Sequence, residues 1–342
     1  MKILHVITRS DLGGAQSVVI NLANAMCREH EITVVAGEDG PMWDALHDKV
    51  KKIRIAEIVR EISITKDIMA LYKLRKIYQS LKPDVIHLHS SKIGVLGRLA
   101  FPSRKNVYSI HGFDSIRLAY RKFLPLEKLL KNRCKAIVLA SNYDKRNIIA
   151  EGISNRLHVI YNGVHLPEID KSLKIKGVED YKATVMCIAR ISPQKRFESF
   201  LQIAKILPQY AFVWIGADED YENLPSNVFC IKRAQNAKKF IQLADLFVLP
   251  TNYEGVPIVL IDALSYGKPI VSSDVGGIAE IVKNDFNGFV LENDDNCFAE
   301  KIKFILENSE ILEKFSKNSK DLFNESLNID EMVKKYTLVY EI

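Results

Sequence analysis

Cysteine is scarce in this chain, and what there is does not cluster. Cys27, Cys134, Cys187, Cys230 and Cys297 are odd in number and widely scattered. Such a set argues against a disulfide framework, and for free, mostly buried thiols in a reducing cytoplasm. No two of them stand at metal-ligand spacing. No run approaches the ~20 apolar residues of a membrane-spanning helix. The opening Met1–Thr8 segment lacks the apolar core and small-residue cleavage site of a signal peptide, and reads as a first strand. The dinucleotide fingerprint G-x-G-x-x-G is missing. So are low-complexity tracts, short repeats, and the stacking-aromatic ladder or helix-turn-helix of a nucleic-acid binder.

What is present is an ordinary globular composition long enough for two domains: 342 residues, 47% hydrophobic and 26% charged. The net charge of +6 is unevenly spread. Residues 1–165 carry 27 Lys and Arg against 15 Asp and Glu, and residues 166–342 carry 21 against 27. The basic half is the one expected to meet an anionic surface. Strand and helix patterns alternate throughout. Strands are expected at 2–8, 31–36, 84–89 and 106–111, with helices at 17–30 and near 94–101. The pattern restarts after a polar, aperiodic stretch at 166–182. It then gives strands at 184–189, 211–216, 228–231, 246–250, 269–273 and 288–291, a helix at 198–207 and a helical tail after Glu310. Alternation of this kind predicts α/β architecture: two doubly wound, Rossmann-like domains facing each other across a cleft, at residues 1–165 and 166–324. A C-terminal helix at about 325–342 is expected to return to the first domain.

The most informative stretch runs from Tyr253 to Gly267. A strand-like run, Leu246-Phe247-Val248-Leu249-Pro250, leads into Glu254-Gly255-Val256-Pro257 and an almost wholly apolar helix bounded by Pro257 and Gly267. That helix still carries Asp262. Burying carboxylates without partners costs several kcal/mol (roughly), so polar company is expected for Glu254 and Asp262. After the strand at 184–189, Arg190 and Lys195 place fixed positive charge over the strand edge, as diphosphate binding needs. Gly13 and Gly14 stand between the first strand and helix, where a backbone can approach a phosphate closely. His87 and His89 share one strand face and read as a buried, hydrogen-bonded pair, whereas His111 ends a strand and is the better candidate to line a cleft. Asp218-Glu219-Asp220 reads as an exposed turn, and no metal site is assigned. Residues 116–137 interleave Arg117, Arg121, Lys122, Lys128, Lys131, Arg133 and Lys135 with Leu118, Tyr120, Phe123 and Leu129. They suggest a pair of helices lying on an anionic membrane.

Together these residues resemble the retaining glycosyltransferases of family 4, which have the GT-B fold. The resemblance covers nearly the whole chain and is strongest from Thr184 to Val290. Its pieces are Gly13-Gly14, Asp84-Val85-Ile86-His87-Leu88-His89, His111-Gly112, Val159-Ile160-Tyr161-Asn162-Gly163-Val164, Arg190 to Lys195, Ala244 to Pro250, Glu254-Gly255-Val256-Pro257 and Val275-Gly276-Gly277-Ile278. The resemblance implies a retaining hexosyltransferase that uses a nucleotide-diphosphate sugar, with UDP or GDP as carrier, and needs no metal or other cofactor. It implies that Arg190 and Lys195 hold the diphosphate, helped by Gly13, Gly14 and the backbone N–H groups of Gly255 and Val256. Glu254 would hold sugar hydroxyls, His111 would lie beside the transferred sugar, and Asp262 would hold the ribose. The family motif is Glu-x7-Glu, and Asp262 is one methylene shorter than its second member. A second departure is Phe229-Cys230-Ile231-Lys232-Arg233, in the region resembling the base-contacting loop. The implied acceptor is a lipid-linked glycan of capsule, lipopolysaccharide or exopolysaccharide assembly. The implied location is cytoplasmic, peripheral at the inner membrane face. A sugar-nucleotide epimerase of the same architecture and a non-catalytic nucleotide-sugar-binding subunit are the competing readings.

Overall fold

The computed structural model of the protein describes residues 1–234 and 236–342, and the backbone alone of Ala119. The chain divides into two compact units, Met1–Gly163 with Ile329–Ile342, and Val164–Asn328.

The first unit holds β1 (Lys2–Val6), β2 (Glu31–Ala36), β3 (Lys51–Arg54), β4 (Val85–His89), β5 (Asn106–Ile110), β6 (Ala136–Leu139) and β7 (Leu157–Val159). They form one parallel sheet in the order 3-2-1-4-5-6-7. Its helices are α1 (Gly14–Met26), α2 (Met42–Ala45), α3 (Ile64–Leu81), α4 (Ser91–Ala100), α5 (Leu124–Leu129) and α6 (Asn142–Ala150). Every residue of β4 and β5 is buried, as expected of strands covered on both faces. Helix α1 buries Val18, Val19, Leu22, Ala23 and Met26, a stripe at helical spacing. It begins three residues earlier than the sequence pattern suggests, because Gly14 is already its first residue, with Gly13 as the extended N-cap.

The second unit holds β8 (Thr184–Ile188), β9 (Ala211–Ala217), β10 (Val228–Lys232), β11 (Leu246–Leu249), β12 (Ile270–Ser273) and β13 (Gly288–Leu291), parallel in the order 10-9-8-11-12-13. Its helices are α7 (Phe197–Ile206), α8 (Ile258–Ser265), α9 (Asp295–Glu307) and α10 (Ser309–Leu322). The last helix, α11 (Ile329–Glu341), belongs to the first unit and buries Ile329, Met332, Tyr336, Val339 and Tyr340. In each sheet the strand order reverses once, between β1 and β4 and between β8 and β11. Loops beyond the carboxyl ends of the strands part there, which is where doubly wound sheets bind ligands.

Residues 116–137 correct the expectation of a helix pair. They form a π-helical turn at Ser115–Ala119, a 3-10 turn at Arg121–Phe123 and the short α5, and then enter β6. Pro125 sits in the first turn of α5, where a missing N–H costs nothing. The cations are largely engaged. Arg117 pairs with Asp114, Arg121 and Lys128 with Glu151, and Lys131 and Lys135 donate to main-chain carbonyls. Among the described residues no helix is long and apolar enough to cross a membrane.

Candidate functional site

In the second unit, the loops after β8 and β11 meet at the reversal point. The first makes a 3-10 turn at Pro193–Lys195, and Arg196 then takes a left-handed conformation, φ 47°. The two loops are laced together: Asn252 N–H donates to Gln194 O at 2.8 Å, Gln194 Nε2 to Tyr253 O at 2.7 Å, and Asn252 Nδ2 to Pro193 O at 2.9 Å. The lacing brings Lys195 Nζ onto Glu254 Oε1, an ion pair whose side chains are only 17% and 11% exposed. The buried Thr251 hydroxyl lies 3.1 Å from both Glu254 Oε1 and Gln194 O. Glu254 thus finds the polar company its position demands. The ammonium keeps donors to spare for a second anion. Arg190 is exposed and makes no ion pair among the described residues, so its guanidinium is available to a ligand.

The loop carrying Glu254 is held from behind. Gly277 N–H donates to Gly255 O at 2.9 Å. Gly276 has φ +63°, and a Cβ there would stand 1.8 Å from Glu254 O. Only glycine combines that backbone with that approach. Val256 is buried, Pro257 caps α8 in extended conformation, and Gly267 closes the helix at φ +67°. Asp262 lies partly buried on α8, and no donor reaches its carboxylate among the described residues. Burial pushes its pKa up to about 6, against an opposing pull from Lys238. It is a pair of acceptor oxygens awaiting donors.

In the first unit, a cavity of about 190 Å³ lies beyond the carboxyl ends of β4 and β5. Ala15, Ser90, Ser91, His111, Gly112 and Ser115 are among its lining residues. Gly13 and Gly14 open α1 at its edge, and a Cβ on Gly14 would meet nothing within 4 Å. Gly14 is exposed, and the protein's own packing does not require glycine there. Ser90 holds φ +76° and ψ 151°, rare for any residue with a side chain, and shares a 2.6 Å hydrogen bond with Thr8. His5, His87 and His89 bring ring nitrogens within 4.8 Å of one another. Both nitrogens of His87 are already hydrogen-bonded, to Tyr340 and Ser109.

Solved structures share this architecture. Anabaena HepE, in complex with UDP and glucose, aligns at TM-score 0.85 with 20% identity, covering 100% of this chain and 99% of that one. Sucrose-phosphate synthase from Thermosynechococcus elongatus aligns at 0.81 with 17% identity, covering 99% and 98%. Residues 12–167 match the family described as Glycosyltransferase Family 4, and residues 168–322 match Glycosyl transferases group 1. The chain belongs to the GT-B glycosyltransferases. Two curated relatives are similar to this glycosyltransferase over almost their full length. The UDP-Gal:alpha-D-GlcNAc-diphosphoundecaprenol alpha-1,3-galactosyltransferase of Escherichia coli is 29% identical, over 99% of this chain and 96% of its own. The O-antigen biosynthesis glycosyltransferase WbnH of Escherichia coli is 26% identical, over 89% and 90%.

Arg190, Lys195, Glu254, Gly255, Val256 and Asp262 of this glycosyltransferase all fall in the second unit, and Gly13, Gly14 and His111 in the first. Thr251, Gln194 and His5 escaped sequence reasoning. Thr251 follows a strand with no special spacing, and His5 reads as one more strand residue. Asp218 and Asp220, the acidic triplet's ends, are exposed and paired with Arg233 and Lys232.

Proposed function

We propose that this glycosyltransferase moves a hexosyl group from a UDP-sugar to a hydroxyl of a lipid-linked glycan, with retention at the anomeric carbon. The observation that carries the reading is the Lys195–Glu254–Thr251 cluster at the reversal point of the second sheet, with the exposed Arg190 on the same loop as Lys195. As the glycosidic bond breaks, the departing diphosphate gains negative charge. Lys195, Arg190 and the N-terminal amides of α8 are the groups to stabilise it. Glu254 accepts from sugar hydroxyls, and Asp262 from the ribose hydroxyls, for which a carboxylate without internal donors is suited. Gly13 and Gly14 leave room for a phosphate, and His111 meets a hydroxyl of the transferred sugar. UDP is favoured as carrier because HepE was solved with UDP, and the galactosyltransferase relative is named for UDP-Gal. That relative acts on a diphosphoundecaprenol-linked sugar, as does a 23% identical Campylobacter jejuni N-acetylgalactosaminyltransferase, which supports a lipid-linked acceptor here. The direct test is a thermal-shift panel of UDP, GDP, CDP and their sugars. UDP at 100 times its Kd should add about 2.7 kcal/mol of apparent stability. No shift with any nucleotide diphosphate would remove the reading. UDP-sugar incubated alone should yield no epimer, and an epimer would favour the competing enzyme class.

Such an acceptor places the enzyme against a bilayer surface. The first unit offers an apolar stripe on α3, where Ile64, Ile68 and Tyr72 are 76%, 63% and 53% exposed at i, i+4 and i+8. Exposed Arg75 and Lys76 lie on the same side of the helix. Leu118, Tyr120 and Leu129 are also exposed, but within the segment whose cations are mostly engaged. Vesicles containing anionic lipid are expected to bind the protein in a salt-sensitive way. Ile64→Ser/Ile68→Ser should weaken that binding more than Leu118→Ser/Leu129→Ser does. Equal binding to neutral vesicles would defeat the idea.

A further inference from the structure

Four histidines converge in the first unit. His5 on β1 is the direct neighbour of His87 on β4, and His89 is two residues further along, so all three rings share one sheet face. His111 follows β5. His5 Nδ1 lies 3.1 Å from His89 Nε2, and His89 Nδ1 lies 3.1 Å from His111 Nε2. The His89 and His111 ring planes lie within 7° of each other with centroids 5.3 Å apart, so the two rings meet edge to edge, as an N–H···N bond requires. His87 stands aside from this line. Its nitrogens meet the hydroxyls of Tyr340 and Ser109, each at 2.7 Å, and a hydroxyl can donate or accept.

A line of neutral imidazoles has a direction, because each ring carries one N–H and one bare nitrogen and each link needs one of each. The rings are neutral. Burial pushes His5 down to about 3 and His111 to about 4, and holds His87 and His89 well below the usual range. The ionisable neighbours that act on His87 and His89 are other histidines, and they push the same way. The direction is set at the closed end. His5 Nε2 is buried without a partner among the described residues. An orphaned buried N–H is rarer than an orphaned acceptor, so the His5 proton belongs on Nδ1. His5 then donates to His89 Nε2. His89 must carry its proton on Nδ1, and donates it to His111 Nε2. His111 is left with its proton on Nδ1, the ring nitrogen that no group among the described residues holds, and its ring lines the 190 Å³ cavity.

We propose that His5 and His89 are positioning residues that fix His111 as a neutral Nδ1–H imidazole, presented as a hydrogen-bond donor to a hydroxyl oxygen of the transferred sugar. The sugar as recipient rests on the function proposed above; the ring order does not. So held, His111 is a donor and not a base at neutral pH.

The test is two-bond 15N–1H correlation spectroscopy on the full chain labelled with 15N-histidine. His111 should appear as the Nδ1–H tautomer and should not titrate between about pH 8 and pH 5. His89→Leu should release His111 into a tautomer mixture and lower kcat/KM roughly tenfold. His89→Asn, which puts an amide N–H near the lost Nδ1–H, should restore both. A bare Nδ1 on His111, or a His111 transition above about pH 6, overturns the proposal. So does stoichiometric zinc uptake that moves the His5, His87 and His89 signals together, since those nitrogens would then face a metal and not each other. A confirmed tautomer with unchanged kcat/KM in His111→Phe would leave the ring order standing and overturn the sugar contact, whereas failure of the nucleotide panel would overturn the reaction itself.

Discussion

Lys195→Ala is expected to lower kcat by about 10²–10³-fold, the loss typical when a group aimed at developing charge is removed. The structure makes the accompanying stability change separable. Lys195 is the ion-pair partner of a poorly exposed Glu254, so its removal leaves a carboxylate held by Thr251 alone. Some loss of Tm is therefore expected from the single substitution. Adding Glu254→Gln neutralises the stranded carboxylate, so Lys195→Ala/Glu254→Gln should regain most of the lost Tm. It should regain none of the turnover, because Glu254 is itself proposed to hold the sugar. Non-additivity of this kind is what contacting residues show. Stability is read by thermal unfolding, and rate by transfer from a matched UDP-sugar. If Lys195→Ala turns over within a few-fold of the unaltered protein, Lys195 does not meet the diphosphate.

Asp262→Asn is expected to move stability and ligand response in opposite directions. The carboxyl titrates at about 6 in the folded protein against 3.8 ordinarily. The folded state therefore holds a proton that the unfolded chain has released. Stability contributed by this group is full below the unfolded value and lost as pH rises through the folded one. Above about pH 6 the ionised carboxylate costs the fold on the order of 2–3 kcal/mol. Asparagine removes that cost, so the free variant should melt higher at pH 8, and the gain should shrink as pH falls from about 6 towards 4. The same substitution takes away an anionic acceptor for the ribose, so the UDP-induced rise in Tm should fall sharply. In the unaltered protein, affinity for a UDP-sugar, whose esterified diphosphate does not itself titrate near neutrality, should weaken as pH drops below about 6, and the variant should show a flat profile. A variant that melts higher and still responds fully to UDP would place the ribose elsewhere.

Much of this was legible in the sequence, for reasons that can be named. Strands buried on both faces leave apolar runs such as Leu246–Leu249, and the Pro257 and Gly267 brackets mark α8 closely. Carboxylates inside an apolar stretch single out Glu254 and Asp262 because desolvation makes them anomalous. The Lys195–Glu254 pair was not legible. Its members are 59 residues apart, and only the strand order brings them together. Period-two reasoning puts His87 and His89 on one face but cannot say that β1 lies alongside, so His5 and the direction of the ring chain stayed hidden. The 116–137 segment reads as a helix pair in one dimension, where Pro125 and the ion pairs that Asp114 and Glu151 make with Arg117, Arg121 and Lys128 cannot be seen to break it into short turns.

The return of α11 has a consequence for where damage to this enzyme would register. Tyr336 and Tyr340 reach Ser109 and His87, so the last helix of the chain covers a sheet begun by its first residues. Residues 164–328 are an uninterrupted insert, with the backbone of Val164 bridged to Asn328 at its two ends. Trimming the C-terminus would thus injure the amino-terminal Rossmann layer, and a graft exchanging residues 164–328 for a relative's counterpart would need two splice points, side by side.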